Sequence, residues 1–458
     1  MTCSSRTRSS TSGWRRWPAP AFAPRSSVYR LAIQGGTPVV PAGSHVRWPV
    51  LGEEERRAVR GVLERGVLSG QLAPEVRGLE REFAALVGSR FCLATNSGTS
   101  ALHLALIGAG IQAGDEVVVP AFTFVATAMA VLHQGAVPVF VDVEPRFFGM
   151  DPAKVEAAIT SRTRAIVPVH LHGVPCELQP IAELAVRRGL VLIEDSAQAI
   201  GARYRGRMAG TMGLAGCYSL QSSKSMAAGE GGLLVTDDEE VYRKAHAARM
   251  FGEDSRPEDE ASYSLAHALD GNRAYDSAAV GWNYRTNELS AAVARAQLRR
   301  LDHWNAQALA SAELLGRRLR ELPGVTPPEV PADRVPAFHK YRVQLDASKV
   351  GVEAQPPAVR DAVLRALRAE GCEVVLWQTQ PVPGQTLFRK MEAASAGRPD
   401  RRVSYDLAQY PVTRAILDRS VVLFSQTYPL APQPPALVEA YAEAFARVWT
   451  RLPEVLAR

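Results

Sequence analysis

From about Leu31 onward, short apolar runs alternate with stretches of helical period. "FCLATN" (91–96) is the first such run. "EVVVPAF" (116–122), "VPVFVDV" (137–143), "AIVPVHL" (165–171), "VLIEDS" (191–196), "AGCYSL" (215–220) and "GGLLVTD" (231–237) follow. Each is short and rich in Val, Ile or Leu, as strands buried on both faces of a mainly parallel sheet are. Between them lie helical patterns such as "LQPIAELAVRRG" (178–189), and residues 53–65 carry charge and apolar groups at helical spacing. This alternation predicts an α/β fold built on one large open sheet.

The pattern changes after residue 250. Residues 252–280 are polar and read as a loop or insertion. "NELSAAVARAQLRRLDHW" (287–304) predicts a helix leaving the large domain, with Leu289, Val293, Ala296 and Leu301 on one face. "KYRVQLD" (340–346) and "EVVLW" (373–377) read as strands. "PAVRDAVLRALRAEG" (357–371) reads as an amphipathic helix opened by Pro357 and closed by Gly371, with Val359, Val363 and Leu367 as its stripe. A last helix near 434–452 aligns Leu437, Tyr441, Phe445, Val448 and Leu452. Residues 380–435 are rich in Pro and Gln and give no clear element. The organisation expected is a disordered basic tail over 1–30, a large domain over 31–300 and a small α/β domain over 301–458.

Composition narrows this picture in two places. The net charge is +6 among 458 residues, but much of the excess sits in the Arg- and Ser-rich tail, where no acidic residue precedes Glu53. That tail overlaps in composition with an organellar transit peptide, though a disordered tail or an upstream start codon is the plainer reading. No basic run interleaved with aromatics follows, so nucleic acid is not expected as a partner. The five cysteines are scattered without CxxC or metal-like spacing, which suits reduced thiols in a cytoplasmic protein and no metal. No apolar run has the length to cross a bilayer.

The strand ends carry the candidate chemistry. After "FCLATN" come Ser97, Gly98, Thr99 and Ser100, then an apolar helix. A strand, a small turn and a helix N-terminus make an anion site, because free backbone N–H groups and the helix dipole favour phosphate. A plain N-cap has the same sequence. "VLIEDS" ends in Asp195, with Gln198 close behind, and a buried acid is expensive unless paired. In "YSLQSSKSMAAGEGG" (218–232), Lys224 sits among small residues after Ser219. A lysine, an acid, a phosphate cradle and a nearby hydroxyl are the parts of a pyridoxal phosphate site: the lysine forms the Schiff base and the acid keeps the pyridine nitrogen protonated. An aromatic ring to stack on the pyridine is offered by Phe124, with Phe122 as the spare; either can equally be core. Small residues Ser222 and Ser223 leave room for the cofactor. Gly229, Gly231 and Gly232 permit a tight return, with Glu230 as a turn residue.

Taken in order, "NSGTSALHLAL", "GDEVVVPAFTFVATA", "IEDSAQAIGA", "YSLQSSKSMAAGEGG" and "GWNYRTNELSAA" resemble the DegT/DnrJ/EryC1/StrS aminotransferases, which act on sugars and cyclitols. The resemblance runs from about residue 31 to near the C-terminus. It implies the aspartate-aminotransferase architecture, fold type I, and pyridoxal 5'-phosphate as cofactor. It also implies roles. Lys224 would carry the cofactor and shuttle the proton, and Asp195 would pair with the pyridine nitrogen. Gln198 would bond the phenolic oxygen, and Phe124 would stack on the ring. Gly98, Thr99, Ser100 and Ser219 would hold the phosphate. Asn283 would reach the phosphate site of a neighbouring subunit, making the protein a homodimer with shared sites.

The reaction so implied moves an amino group from L-glutamate or L-glutamine to a keto sugar, as its nucleotide, or to a keto cyclitol. Relatives that aromatise an amino-cyclohexenone, sugar dehydratases with histidine in place of the lysine, and a silent cofactor-binding partner are the alternatives. Lys224 speaks against the dehydratases. His170 and His172, in "VPVHLHG", read as packing or pocket lining, without a third metal ligand in register. His339 lines the pocket or the core, and Arg285 is a candidate for a donor carboxylate or a buried ion pair. Where relatives carry His-Tyr before prolines, this chain reads "LWQTQPVPGQTLF" (376–388), so the acceptor pocket departs from the pattern.

Overall fold

The computed structural model describes residues 29–70, 73–253, 276–395 and 404–457. Residues 1–28 of the expected tail and 254–275 of the polar stretch lie outside them.

Each apolar run of the first half forms a strand. They are β1 (Phe91–Thr95), β2 (Glu116–Pro120), β3 (Val137–Val141), β4 (Thr163–Ile166) and β5 (Val191–Asp195). A hairpin follows, β6 (Arg203–Tyr204) and β7 (Arg207–Met208), then β8 (Ala215–Ser219) and β9 (Gly232–Thr236). Seven of these make one sheet in the order β1-β9-β8-β5-β4-β2-β3. Within it β9 alone runs against its neighbours β1 and β8, and the other pairs are parallel. β2, β8 and β9 are buried from end to end. Their lack of alternation follows from helices covering both faces. The helix Gly98–Gly108 is itself buried almost all round, which explains why its sequence has no polar stripe.

A second sheet comes from the C-terminal part. It pairs β10 (Val325–Thr326), β12 (Tyr341–Leu345), β13 (Val374–Val375) and β14 (Ser420–Leu423) in the order β10-β12-β14-β13, all antiparallel. Leu315, Leu319, Val363, Leu367, Tyr441 and Phe445 pack on it from three helices. β14 lies inside this sheet, between β12 and β13, but within the stretch that sequence left open, because four residues between the short helix Pro411–Asp418 and a Pro-rich loop give too short a pattern to read. β11 (Arg334–Val335) reaches back to pair with β6.

Two expectations change. The helix over 287–304 is two helices, Glu288–Leu298 and Leu301–Leu319, broken at Arg299 and Arg300. The Arg300 N–H there bonds the Gln297 carbonyl, and the Arg300 guanidinium caps Val50 O and Glu55. The fully buried face of the first is made of Ala291, Ala292, Ala294 and Ala296 with Glu288 and Gln297, while Leu289 and Val293 are half-buried. The chain start also differs, because Leu31 and Val40 sit in the core of the small domain rather than in the large one. The buried carboxylate of Glu370 holds this segment by accepting from the N–H groups of Ala32 and Val39.

Candidate active site

Gly98, Phe124, Asp195 and Ser219 stand at or just beyond the C-terminal ends of parallel strands, and Gln198 and Lys224 follow within a few residues. That end of an open α/β sheet is where helix N-termini and loops converge to form a crevice.

Asp195 closes β5 and is 5 % exposed. Its Oδ2 accepts from the Thr127 hydroxyl at 2.8 Å and its Oδ1 from the Ala197 N–H at 3.1 Å. Burial pushes its pKa up, and these two bonds and the charge of Lys224 oppose the shift. Thr127 is a site residue that sequence reasoning missed. Its hydroxyl lies 2.9 Å from that of Thr123, which has its own proton to give, so a short relay ends on the carboxylate. The available signal was a hydroxyl three residues beyond Phe124 in "FTFVAT".

Lys224 is half-buried. Burial pulls its pKa down to about 8, against the pull of Asp195. No hydrogen bond or ion pair to its amine occurs among the described residues, so amine and carboxylate feel each other without touching. The lysine backbone is fixed instead. Its N–H donates to Gln221 O, and its carbonyl accepts from the Trp48 indole at 3.1 Å. Trp48 packs edge-on against Trp304, 5.6 Å between centroids, so the N-terminal segment and the helix Leu301–Leu319 hold the loop together.

The phosphate cradle is shaped by close approach. A Cβ on Gly98 would lie 2.9 Å from Ser219 Cβ, and one on Gly232 would lie 2.3 Å from Ser97 O. Ser97 caps the helix, its hydroxyl accepting from the Ser100 N–H at 3.1 Å. Ser100 is therefore committed within the chain, and its hydroxyl donates to Asn96 Oδ1 at 2.6 Å. Gly98 and Thr99 keep their amides for a ligand. The Ser219 hydroxyl closes β8 at the same place and accepts a long bond, 3.4 Å, from the Gln221 N–H.

Around this centre, Gln198 accepts the His172 N–H at 2.9 Å through Oε1, leaving its amide nitrogen to donate. Phe124 is 56 % exposed, whereas Phe122 is fully buried among Phe148, His172 and Trp377. The spare aromatic is thus core, and Phe124 is the free ring beside Asp195. Asn283 is exposed next to the cradle: its carbonyl accepts from the Asn96 amide, and its side chain accepts from Arg285. Arg285 also lies over the Phe251 ring at 5.7 Å and is half-buried, with no carboxylate partner among the described residues.

The histidines are structural in different ways. His170 Nδ1 accepts the Cys176 N–H at 3.2 Å, so its ring proton is on Nε2, which donates to Glu194 at 2.9 Å. Glu194 also accepts from the N–H groups of Gly210, Met212 and Gly213; burial pushes its pKa up, but His170 and the Gly210 and Gly213 donors outweigh this and hold it below the usual carboxylate range. His172 packs under Trp377 and accepts from Arg342. His339 lines a small cavity with Lys224, Trp48 and Trp304. The divergent stretch from 376 packs against the turn that carries Phe124, where the Gln378 amide donates to the Thr123 carbonyl. Among the described residues no group of three or more His, Cys, Asp or Glu is arranged to hold a metal.

The residues fit a pyridoxal phosphate group. They supply a free amine within electrostatic reach of a buried acid, helix N–H groups left unused and an uncovered aromatic ring. The comparisons with known proteins agree. Residues 49–420 match the DegT/DnrJ/EryC1/StrS aminotransferase family. The L-glutamine:scyllo-inosose aminotransferase of Streptomyces griseus is 36% identical over 93% of this chain and 99% of its own. The UDP-N-acetyl-3-dehydro-alpha-D-glucosamine 3-aminotransferase of Acidithiobacillus ferrooxidans is 41% identical over 68% of this chain and 76% of its own. Among solved structures, 3-amino-5-hydroxybenzoic acid synthase superposes with a TM-score of 0.75 at 32% identity, over 90% of this chain and 100% of that one. The chain belongs to the DegT/DnrJ/EryC1/StrS aminotransferase family and is an aminotransferase of the fold type I architecture.

Proposed function

We propose that this chain uses pyridoxal 5'-phosphate to move an amino group from L-glutamine or L-glutamate to a keto cyclitol or a keto sugar. The observation that carries this reading is the unpartnered, half-buried amine of Lys224 held apart from the buried carboxylate of Asp195. The near-complete match to the S. griseus enzyme favours L-glutamine and a cyclitol ketone.

When bound, the cofactor supplies an electron sink for proton removal beside the donor nitrogen. Lys224 would move that proton, a role that its lowered pKa suits near neutral pH. Asp195, held by Thr127 and Ala197, would pair with the ring nitrogen. The Gln198 amide would hold the phenolic oxygen, and Phe124 would pack on the ring. The amides of Gly98 and Thr99 and the Ser219 hydroxyl would hold the phosphate, with Ser100 bracing the turn. Asn283 stands exposed at the edge of this cradle, where a second subunit in a homodimer would meet it. We place the protein in the cytoplasm on the strength of its four buried, unpaired cysteines among the described residues, Cys92, Cys176, Cys217 and Cys372. No described helix is long and apolar enough to cross a membrane.

The test is spectroscopic. Wild type and Lys224→Ala are loaded with cofactor, and each is mixed with L-glutamine or L-glutamate. Wild type is expected to lose its visible band with one donor and to regain it with a keto cyclitol or keto sugar, while the variant does neither. A wild type that holds the cofactor yet responds to no amino acid would refute the aminotransfer reading.

A further inference from the structure

Within electrostatic reach of Lys224 the small domain buries two cations that no carboxylate matches among the described residues. They come from β12 and the residue before it. Tyr341, Val343 and Leu345 face the small-domain core, so Lys340 and Arg342 point the other way, toward the large domain. Arg342 is 2 % exposed and spends its guanidinium on neutral acceptors: His172 Nε2, Ser420 Oγ and Trp377 O. Lys340 is 6 % exposed, and its ammonium has no hydrogen bond or ion pair among the described residues. The charges acting on it are those of Lys224 and Arg342, and no carboxylate is among them.

The backbone locks this pair against the candidate site. Lys340 N–H donates to His172 O, and His172 N–H donates to the Gln198 side chain. Gly173 lets the two domains close, since a Cβ there would meet Gln198 O and His339 N, each at 2.8 Å. His339 and His172, the other titratable groups packed here, are both pushed toward the neutral form by burial and these cations. His172 Nε2 accepts from Arg342, so a neutral ring carries its proton on Nδ1, and that atom is buried without a partner. One fully enclosed donor, His172 Nδ1, therefore lacks an acceptor, close to an ammonium with no partner among the described residues. A buried lysine without a counter-ion is costly, and an anionic ligand removes the cost.

We propose that Lys340 is the binding residue for the α-carboxylate of the amino donor. This rests on the aminotransfer reading above. The donor nitrogen takes the place of the Lys224 amine, and its carboxylate lies one carbon away from that nitrogen. A cation next to Lys224 on the small-domain side is thus where the carboxylate must be received. Burial pulls the Lys340 pKa down to about 7 in the free chain, and a bound carboxylate raises it again and restores the charge.

The experiment uses the cofactor-loaded enzyme and its Lys340→Met and Lys340→Gln variants. Glutarate, which has carboxylates but no amine, is titrated by calorimetry. L-Glutamine and n-propylamine, an amine without a carboxylate, are followed through the visible band. Loss of a charge-assisted bond predicts about ten- to hundred-fold weaker glutarate and L-glutamine binding in both variants, with the n-propylamine response unchanged. Lys340→Met is also expected to melt higher than wild type, since it removes an unpaired buried charge; a structural lysine would do the reverse. Equal glutarate binding by all three proteins, or none by wild type, overturns the proposal, as does a parallel loss with n-propylamine. An enzyme in which no amino acid alters the band, but in which glutarate binding still depends on Lys340, would fail the aminotransfer reading alone.

Discussion

Gly98→Ala tests how the fold builds the phosphate cradle. The added methyl would stand 2.9 Å from Ser219 Cβ and 3.3 Å from both Ser219 Cα and Tyr218 O. Carbon contacts settle at about 3.5–4.0 Å, so the helix start must withdraw from β8 by roughly 0.5–1 Å. Overpacking of this kind costs about 1–3 kcal/mol. Removing a helical glycine returns about 0.5–1 kcal/mol, which leaves a net loss of about 1–2 kcal/mol. The amides of Gly98 and Thr99 move with the helix, so cofactor affinity should fall about tenfold, the equivalent of about 1.4 kcal/mol. Ser219→Gly removes the nearest atom and leaves only the contacts at 3.3 Å. A double-mutant cycle of the apoproteins in urea should therefore show that the pair costs less than the sum of the singles, by about 1 kcal/mol. Cofactor binding is read separately by titrating the visible band. An alanine variant as stable as wild type, or a cycle with no coupling, would mean that the helix does not seat on Ser219.

Two further outcomes follow from the electrostatics. Capture of the cofactor by the apoprotein needs the neutral form of Lys224, which burial favours by lowering its pKa to about 8. The capture rate should rise between about pH 7 and 9 and then level off; a rise continuing to the ordinary lysine value of about 10.4 contradicts this. Glu194→Gln removes a buried carboxylate that accepts from three backbone N–H groups and His170, at a cost of about 3 kcal/mol or more. Because the folded-state pKa of Glu194 is depressed, its stabilisation is present above the unfolded value of about 4.3 and disappears as pH falls below it. The gap in melting temperature between wild type and variant should thus be constant from neutral pH down to about pH 4.3 and narrow below it, and a gap that stays constant below that value would refute the role.

Much of the candidate site was legible because its parts follow strand ends. Asp195, Ser219 and Lys224 are short-range features: a buried apolar run, then a polar residue where the chain leaves the sheet. Thr127 was not legible, since its meaning comes from a carboxylate 68 residues away in sequence. Lys340 and Arg342 stood in a stretch that read only as a strand, with no local signal to mark them. Strand alternation set which side they take, but only the packing of the small domain made that side a buried one. The choice between Phe122 and Phe124 was equally undecidable locally, because both flank a threonine in the same turn.

The sequence by itself determined the elements and the chemistry available at their ends. Period, turn residues and capping act within a few residues, and the pattern of apolar runs is enough to specify a sheet with buried strands. Tertiary structure decided which groups share a space. Leu31 and Val40 joined the small domain because its core needed their surface. Ser100 was withdrawn from the candidate ligand site because Ser97 took its amide. Lys340 acquired its unpaired charge only when two domains closed over it. Desolvation is a property of everything packed around a group, and no local stretch of sequence records it.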